Sequence, residues 1–305
     1  MKNLIITNSS GLFSTLLGFF FWVYLFENNN FDIDLNFHTR NKSGPNEKKY
    51  YFAEIVESNL FPKKLLFEEN IFLNIFKENK FLVKDHNLDD FLFTHLYPSD
   101  IKEFDEYVPE CLKVYRGRGF YSDQYENKEI IDQIRKCYYQ GWKVFELTDE
   151  LKKISIEEEK LISSNTLCVM LRTSLHYDGY GHNSEKILES AVRQVSSVID
   201  DYDKVLITTQ VQPFYNRFKQ VFGNKCVSPE RPKRLSSDMD WIGVSDSMSD
   251  DDYIEELKYC LLDVILSSKC NHIIGSSSNM FLGALSMNPN IDYSLITDLS
   301  NFNGL

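Results

Sequence analysis

From Leu167 to Ser286, short apolar runs alternate with stretches of helical length, and this alternation limits the possible folds more than any other feature of the sequence. The runs are Leu167 to Leu171 (LCVML), Val205 to Thr208 (VLIT) and His272 to Ile274 (HII). Helices are predicted over Ser184 to Ile199, Pro213 to Val221, Asp251 to Ser268 and Asn279 to Ser286. A run that is apolar throughout suits a strand covered on both faces, and an intervening helix supplies the long crossover that parallel strands need. The order predicts an α/β fold built on a doubly wound parallel sheet.

The chain opens in the same way. A strand is predicted over Leu4 to Thr7, a loop over Asn8-Ser9-Ser10-Gly11, a helix over Leu12 to Phe26 and a second strand over Phe31 to Phe37. The helix (LFSTLLGFFFWVYLF) is nearly all apolar, as an anchor or signal sequence would be. A spanning helix needs about 20 apolar residues, however, and this segment is only 15 residues long and holds Ser14, Thr15 and Gly18. It also follows a strand and a polar loop instead of a basic leader, so a buried helix is expected and no membrane span.

Residues 38 to 50, broken at Gly44-Pro45, are predicted to form a surface loop, and a short strand is expected at Phe91-Leu92-Phe93. With 305 residues there is room for two domains. The charged stretch from Thr148 to Thr166 has little to bury and marks the expected boundary, dividing the chain into 1–150 and 151–305.

A formal charge of -12 disfavours nucleic acid and anionic lipid as general partners. The cysteines (Cys111, Cys137, Cys168, Cys226, Cys260 and Cys270) show no paired spacing and suit reduced thiols, which points to a cytoplasmic setting. Cys270 and His272 invite a zinc site, but no second ligand pair accompanies them, and no metal is expected.

Open parallel sheets bind ligands outside the carboxyl ends of their strands. Four such ends carry polar chemistry: Asn8 to Gly11, with Ser10 and Gly11; Arg172-Thr173-Ser174; Thr208-Thr209-Gln210; and Gly275 to Asn279, with Ser276, Ser277 and Ser278. They offer amides, hydroxyls and a guanidinium, a donor set suited to phosphate, and the last opens a helix. Arg172 ends an apolar strand, where a fixed charge calls either for an anion or for a structural carboxylate. Ser276 to Ser278 either contribute to an anion site or serve only as a helix cap, although one cap requires a single serine.

The run from Leu262 to Asn279 (LDVILSSKCNHIIGSSSN) resembles the carboxyl-terminal donor motif of the α1,6- and protein O-fucosyltransferases, in which an acid on a helix precedes a strand and a Ser-rich loop. Asp263 matches the motif acid, and Ser276, Ser278 and Asn279 match the loop. Val169 through Asp178 resembles the family's strand ending in His-x-Arg, which puts Arg172 on its phosphate-binding arginine. Val205 to Gln210 resembles the strand ending in Thr-Asp-Asp. Met170 stands in place of the motif's His, and Thr209-Gln210 in place of its acids.

The resemblance spans Leu167 to Pro289 and implies a GT-B architecture of two Rossmann-type domains with a donor cleft between them. Residues 151–305 would bind the nucleotide sugar, and 1–150 would face the acceptor. It implies an inverting, metal-independent transfer from a nucleotide sugar, GDP-fucose first, to a glycan or other hydroxyl acceptor, with no further cofactor. His176 and Asp178 follow Arg172 in a Gly-containing loop and are the candidate bases, or else solvated loop residues.

Three other readings compete. A metal-dependent GT-A transferase would use an Asp-x-Asp, and Asp32-Ile33-Asp34 and Asp238-Met239-Asp240 both fit the letters. A serine hydrolase built on Gly275 to Ser278 would need a second Gly and a following His, and the sequence has neither there. A non-catalytic nucleotide- or glycan-binding module could use Arg231-Pro232-Lys233-Arg234 for docking, although a solvated loop accounts for that run more simply.

Overall fold

The structure, a computed structural model, describes residues 2–8, 12–31, 33–39, 74–81, 91–94, 102–113, 127–171, 184–231, 250–276 and 278–296. Two compact units divide the chain. The first comprises Met1–Gly119, Lys136–Leu151 and Ser245–Lys258, and the second Phe120–Arg135, Lys152–Val244 and Tyr259–Leu305.

The first unit holds a three-stranded parallel sheet made of β1 (Lys2–Asn8), β2 (Ile33–Thr39) and β3 (Phe91–Thr94), with β1 in the middle. Leu4 faces Leu35 across one ladder and Leu92 across the other. The crossover from β1 to β2 is α1 (Leu12–Asn28). Leu16, Leu17, Phe19, Phe20, Phe21, Trp22, Val23 and Leu25 are fully buried, so this helix has apolar neighbours on every side, as an all-round hydrophobic helix requires in water. Phe20 stacks on Trp142 at 4.5 Å and on Phe145 at 5.6 Å, and Trp22 meets Phe104 edge-on at 5.0 Å. The apolar stretch is thus a core helix, and among the described residues no helix is long and apolar enough to cross a membrane.

Further helices follow: α2 (Glu110–Lys113), α3 (Lys128–Val144) and α4 (Asp149–Glu158). Gly141 on α3 allows the closest approach to α1, because a Cβ there would lie 2.2 Å from the Phe20 ring.

The second unit contains β4 (Thr166–Leu171), α5 (Ser184–Ser196), β5 (Lys204–Thr209), α6 (Gln212–Phe222), β6 (Cys226–Val227), α7 (Asp250–Ser268, entering this unit at Tyr259), β7 (His272–Gly275), α8 (Asn279–Met287) and β8 (Asp292–Leu295). All five strands are parallel, in the order β6-β5-β4-β7-β8. The chain starts in the centre, moves outward through β5 and β6, and returns to the other side of β4. This matches the first five strands of the doubly wound order 3-2-1-4-5-6, and the reversal falls between β4 and β7.

One face of the sheet is covered by α5 and α6, where Val192, Val195, Phe214 and Phe218 meet Val169, Val205 and Ile207. Side chains of the opposite parity reach α7, as in the hydrogen bond from Cys168 Sγ to Ser267 Oγ at 3.2 Å. Arg135, 2% exposed, closes the carboxyl end of α8 by donating to the carbonyls of Leu285, Asn288 and Ile291 at 3.0, 2.9 and 2.7 Å. Burial lowers the pKa of this guanidinium, and Asp132 partly opposes that effect. All six cysteines are free and buried.

Candidate functional site

The switch point between β4 and β7 fixes where a ligand would sit. The register places Met170 beside Thr208 on one side and Gly275 on the other, so the three strands end at the same level. The Ser276 amide then donates to the Met170 carbonyl at 3.3 Å, which carries the ladder one residue past β7. The chain next turns into α8. Ser278 is extended, with φ −161 and ψ 161, and its hydroxyl accepts the Phe281 amide at 3.1 Å, as an N-cap does.

Gly275 is required by packing. A Cβ there would lie 2.4 Å from the Phe281 ring, so the first turn of α8 packs under the strand end only if that residue has no side chain.

Around these strand ends lies a small pocket open to solvent. Its lining includes Thr208, Asp263 and Ser278, three of the residues singled out in the sequence, together with Met170, Gln210 and Met280. Ser276 is buried and Asn279 half-buried at the same turn. Ser10, Gly11, Arg172, His176, Asp178 and Ser277 lie outside the described residues, as do Asp32 and Asp238-Met239-Asp240. Thr208 Oγ1 donates to the Val169 carbonyl at 3.4 Å, and Gln210 Nε2 donates to Cys260 Sγ at 3.2 Å. Met170 and Met280 give the pocket apolar, deformable walls.

The structure corrects one expectation. Arg231 is not part of a solvated loop: its side chain is 8% exposed. It donates to Asp263 Oδ1 from Nη2 at 2.6 Å and from Nε at 3.2 Å. It also grips Glu158 with both terminal nitrogens, Nη2 to Oε2 measuring 3.1 Å, and lies over the Tyr259 ring at 5.0 Å. Burial pulls the Arg231 pKa down, but Asp263 and Glu158 outweigh it and the net shift is upward. Pro232, Lys233 and Arg234 lie outside the described residues.

Cys270 and His272 make ordinary structural contacts. Cys270 Sγ points to the Leu266 carbonyl at 3.6 Å, and His272 Nε2 pairs with Ser294 Oγ at 2.9 Å. Among the described residues no group of His, Cys, Asp or Glu is assembled as a metal site.

No protein-family profile and no curated protein matches the sequence. Solved structures do match, and the fold they share with this chain is that of fucosyltransferases. NodZ alpha-1,6-fucosyltransferase, in crystals soaked with GDP-fucose, aligns at a TM-score of 0.53 and 12% identity over 96% of this chain and 100% of that one. Fucosyltransferase NodZ from Bradyrhizobium aligns at 0.51 and 10% identity, covering 93% and 92% of the two chains. An Arabidopsis thaliana FUT1 mutant in complex with GDP aligns at 0.53 and 9% identity, over 96% of this chain and 70% of that one. At such identities the likeness is one of fold. That fold is the one the motif resemblance implies.

Proposed function

We propose that this chain is an inverting, metal-independent glycosyltransferase that transfers a sugar from a nucleotide diphosphate donor, GDP-fucose first, to a hydroxyl of a glycan or other acceptor. The observation that carries the proposal is the convergence of Thr208, Asp263 and Ser278 on a pocket at the switch point of a sheet whose fold is shared with fucosyltransferases crystallised with GDP or soaked with GDP-fucose.

In the proposed reaction the acceptor oxygen bonds to the anomeric carbon as the carbon–oxygen bond to the diphosphate breaks. The diphosphate leaves with the electron pair, and the hydroxyl proton passes to His176 or Asp178. Arg172, with Ser276, Ser277, Ser278 and Asn279 at the start of α8, would hold the departing charge, while Thr208 and Asp263 would hold the nucleoside. Ser10 and Gly11 are further candidate donor-binding residues, with residues 1–150 serving the acceptor and 151–305 the donor.

The test is incubation with a panel of nucleotide sugars and acceptor glycans, with nucleoside diphosphate release measured with and without EDTA. GDP released from GDP-fucose with chelator present is the expected result. Activity that EDTA abolishes and manganese restores would favour an Asp-x-Asp transferase instead. Donor binding without any turnover would favour a binding module.

A further inference from the structure

Asp263 sits on α7 and lines the pocket, its side chain 9% exposed, and shares Arg231 with Glu158, 14% exposed. The two acids share one cation. Its fork reaches both acids at once, Asp263 through Nε and Nη2 and Glu158 through Nη1 and Nη2, and its plane rests on Tyr259. Both contacts to Asp263 fall on Oδ1, so that oxygen is turned toward the guanidinium.

A lysine in the same place could match the charge but not this geometry. Arg231 is not among the pocket-lining residues, so it can act there through Asp263.

We propose that Arg231 is a positioning residue: anchored by Glu158 and Tyr259, it holds the Asp263 carboxylate charged and in one orientation, so that Asp263 accepts hydrogen bonds from the N–H or O–H groups of a bound nucleotide. The ligand half of this proposal rests on the donor-site reading above, whereas the clamp itself does not.

The test uses the full chain and two readouts. The first is GDP affinity by calorimetry for the wild type, Arg231→Lys, Asp263→Asn and the double variant. Arg231→Lys, which keeps the charge and favours folding, is expected to weaken GDP by about tenfold or more in the Asp263 background and by almost nothing in the Asp263→Asn background. Equal losses in both backgrounds would mean that Arg231 acts directly or through general stability, and would overturn the proposal.

The second readout is the Asp263 side-chain carboxyl carbon, followed by NMR against pH without ligand, in the wild type, Arg231→Lys and Arg231→Met. Loss of the guanidinium in Arg231→Met is expected to move the Asp263 titration upward, and the Arg231→Lys signal to shift less. Unchanged titration in both variants overturns the clamp whatever GDP does. If wild-type protein ignores GDP while the Asp263 signal still follows Arg231, the clamp stands and the donor-site reading falls.

Discussion

His272 occupies the first position of β7, its ring half-buried and paired with Ser294 Oγ on β8. Burial lowers its pKa; Asp292 opposes that shift and Lys128 adds to it. A histidine whose folded pKa lies below its unfolded value of about 6.5 binds protons more readily in the unfolded chain, so it contributes stability above that pH. That contribution is lost as pH falls through the folded pKa. Denaturant midpoints measured from pH 7.5 to 5 should therefore fall more steeply for the wild type than for His272→Gln. Parallel curves would mean that the ring titrates as if it were in water. His272 and Cys270 also show how far single letters carry: their spacing suggested a ligand pair, while their partners, Ser294 and Leu266, are set by the fold. Asp263 could be found because it stands at a fixed distance before a strand and a Ser-rich turn. Arg231 could not, because its partners Glu158 and Asp263 lie 73 and 32 residues away and its neighbours read as a basic loop.

At the scale of elements, the buried strands were the most legible parts. β4, β5 and β7 are buried along nearly their whole length and read as apolar runs within a residue or two of their observed ends. β8 (DYSL) lies at the sheet edge and β6 spans only two residues, so neither has an apolar pattern, and the strand order could not be completed from sequence. α1 was legible as a helix too short to span a membrane; what buries it was not, because its neighbours Phe104, Trp142 and Phe145 are distant in sequence. Its packing on α3 leads to a prediction. Replacing Gly141 by alanine in an isolated helix would gain about 1 kcal/mol. Here the new methyl would meet the Phe20 ring at 2.2 Å and the Phe20 Cβ at 2.6 Å, contacts that a ring flip cannot relieve. Overpacking of this kind costs about 1–3 kcal/mol, so Gly141→Ala should be less stable in urea despite its better helix propensity, and Phe20→Leu should recover part of the loss. A more stable Gly141→Ala would show that α1 and α3 part easily.

Taken as a whole molecule, the chain offers a test of donor binding that needs no acceptor. A ligand that binds only the native state adds RT ln(1 + [L]/Kd), about 2.7 kcal/mol at a hundredfold excess over Kd. With about 2.1 cal/mol/K of unfolding entropy per residue, GDP at that excess should raise the melting temperature by about 4 °C if the whole chain unfolds together, and by about 8 °C if the compact unit that holds the pocket unfolds alone. EDTA should leave the shift intact, because Arg172 and the amides at the start of α8 are proposed to meet the phosphates without a metal. The same measurement isolates Arg172. Its lysine variant keeps the charge and loses the two-pronged grip, so its ligand-free melt should match the wild type. A tenfold loss of GDP affinity removes about 1.4 kcal/mol, roughly half of the stabilisation at the same GDP concentration. A ligand-free Arg172→Lys protein that already melts lower would identify Arg172 as a structural ion-pair residue. A full GDP shift in that variant would place the phosphates elsewhere. The fold alone could not supply this test, since the sheet order and switch point mark only where sheets of this kind bind ligands, while the residue proposed to hold the phosphate charge was read from the end of an apolar strand.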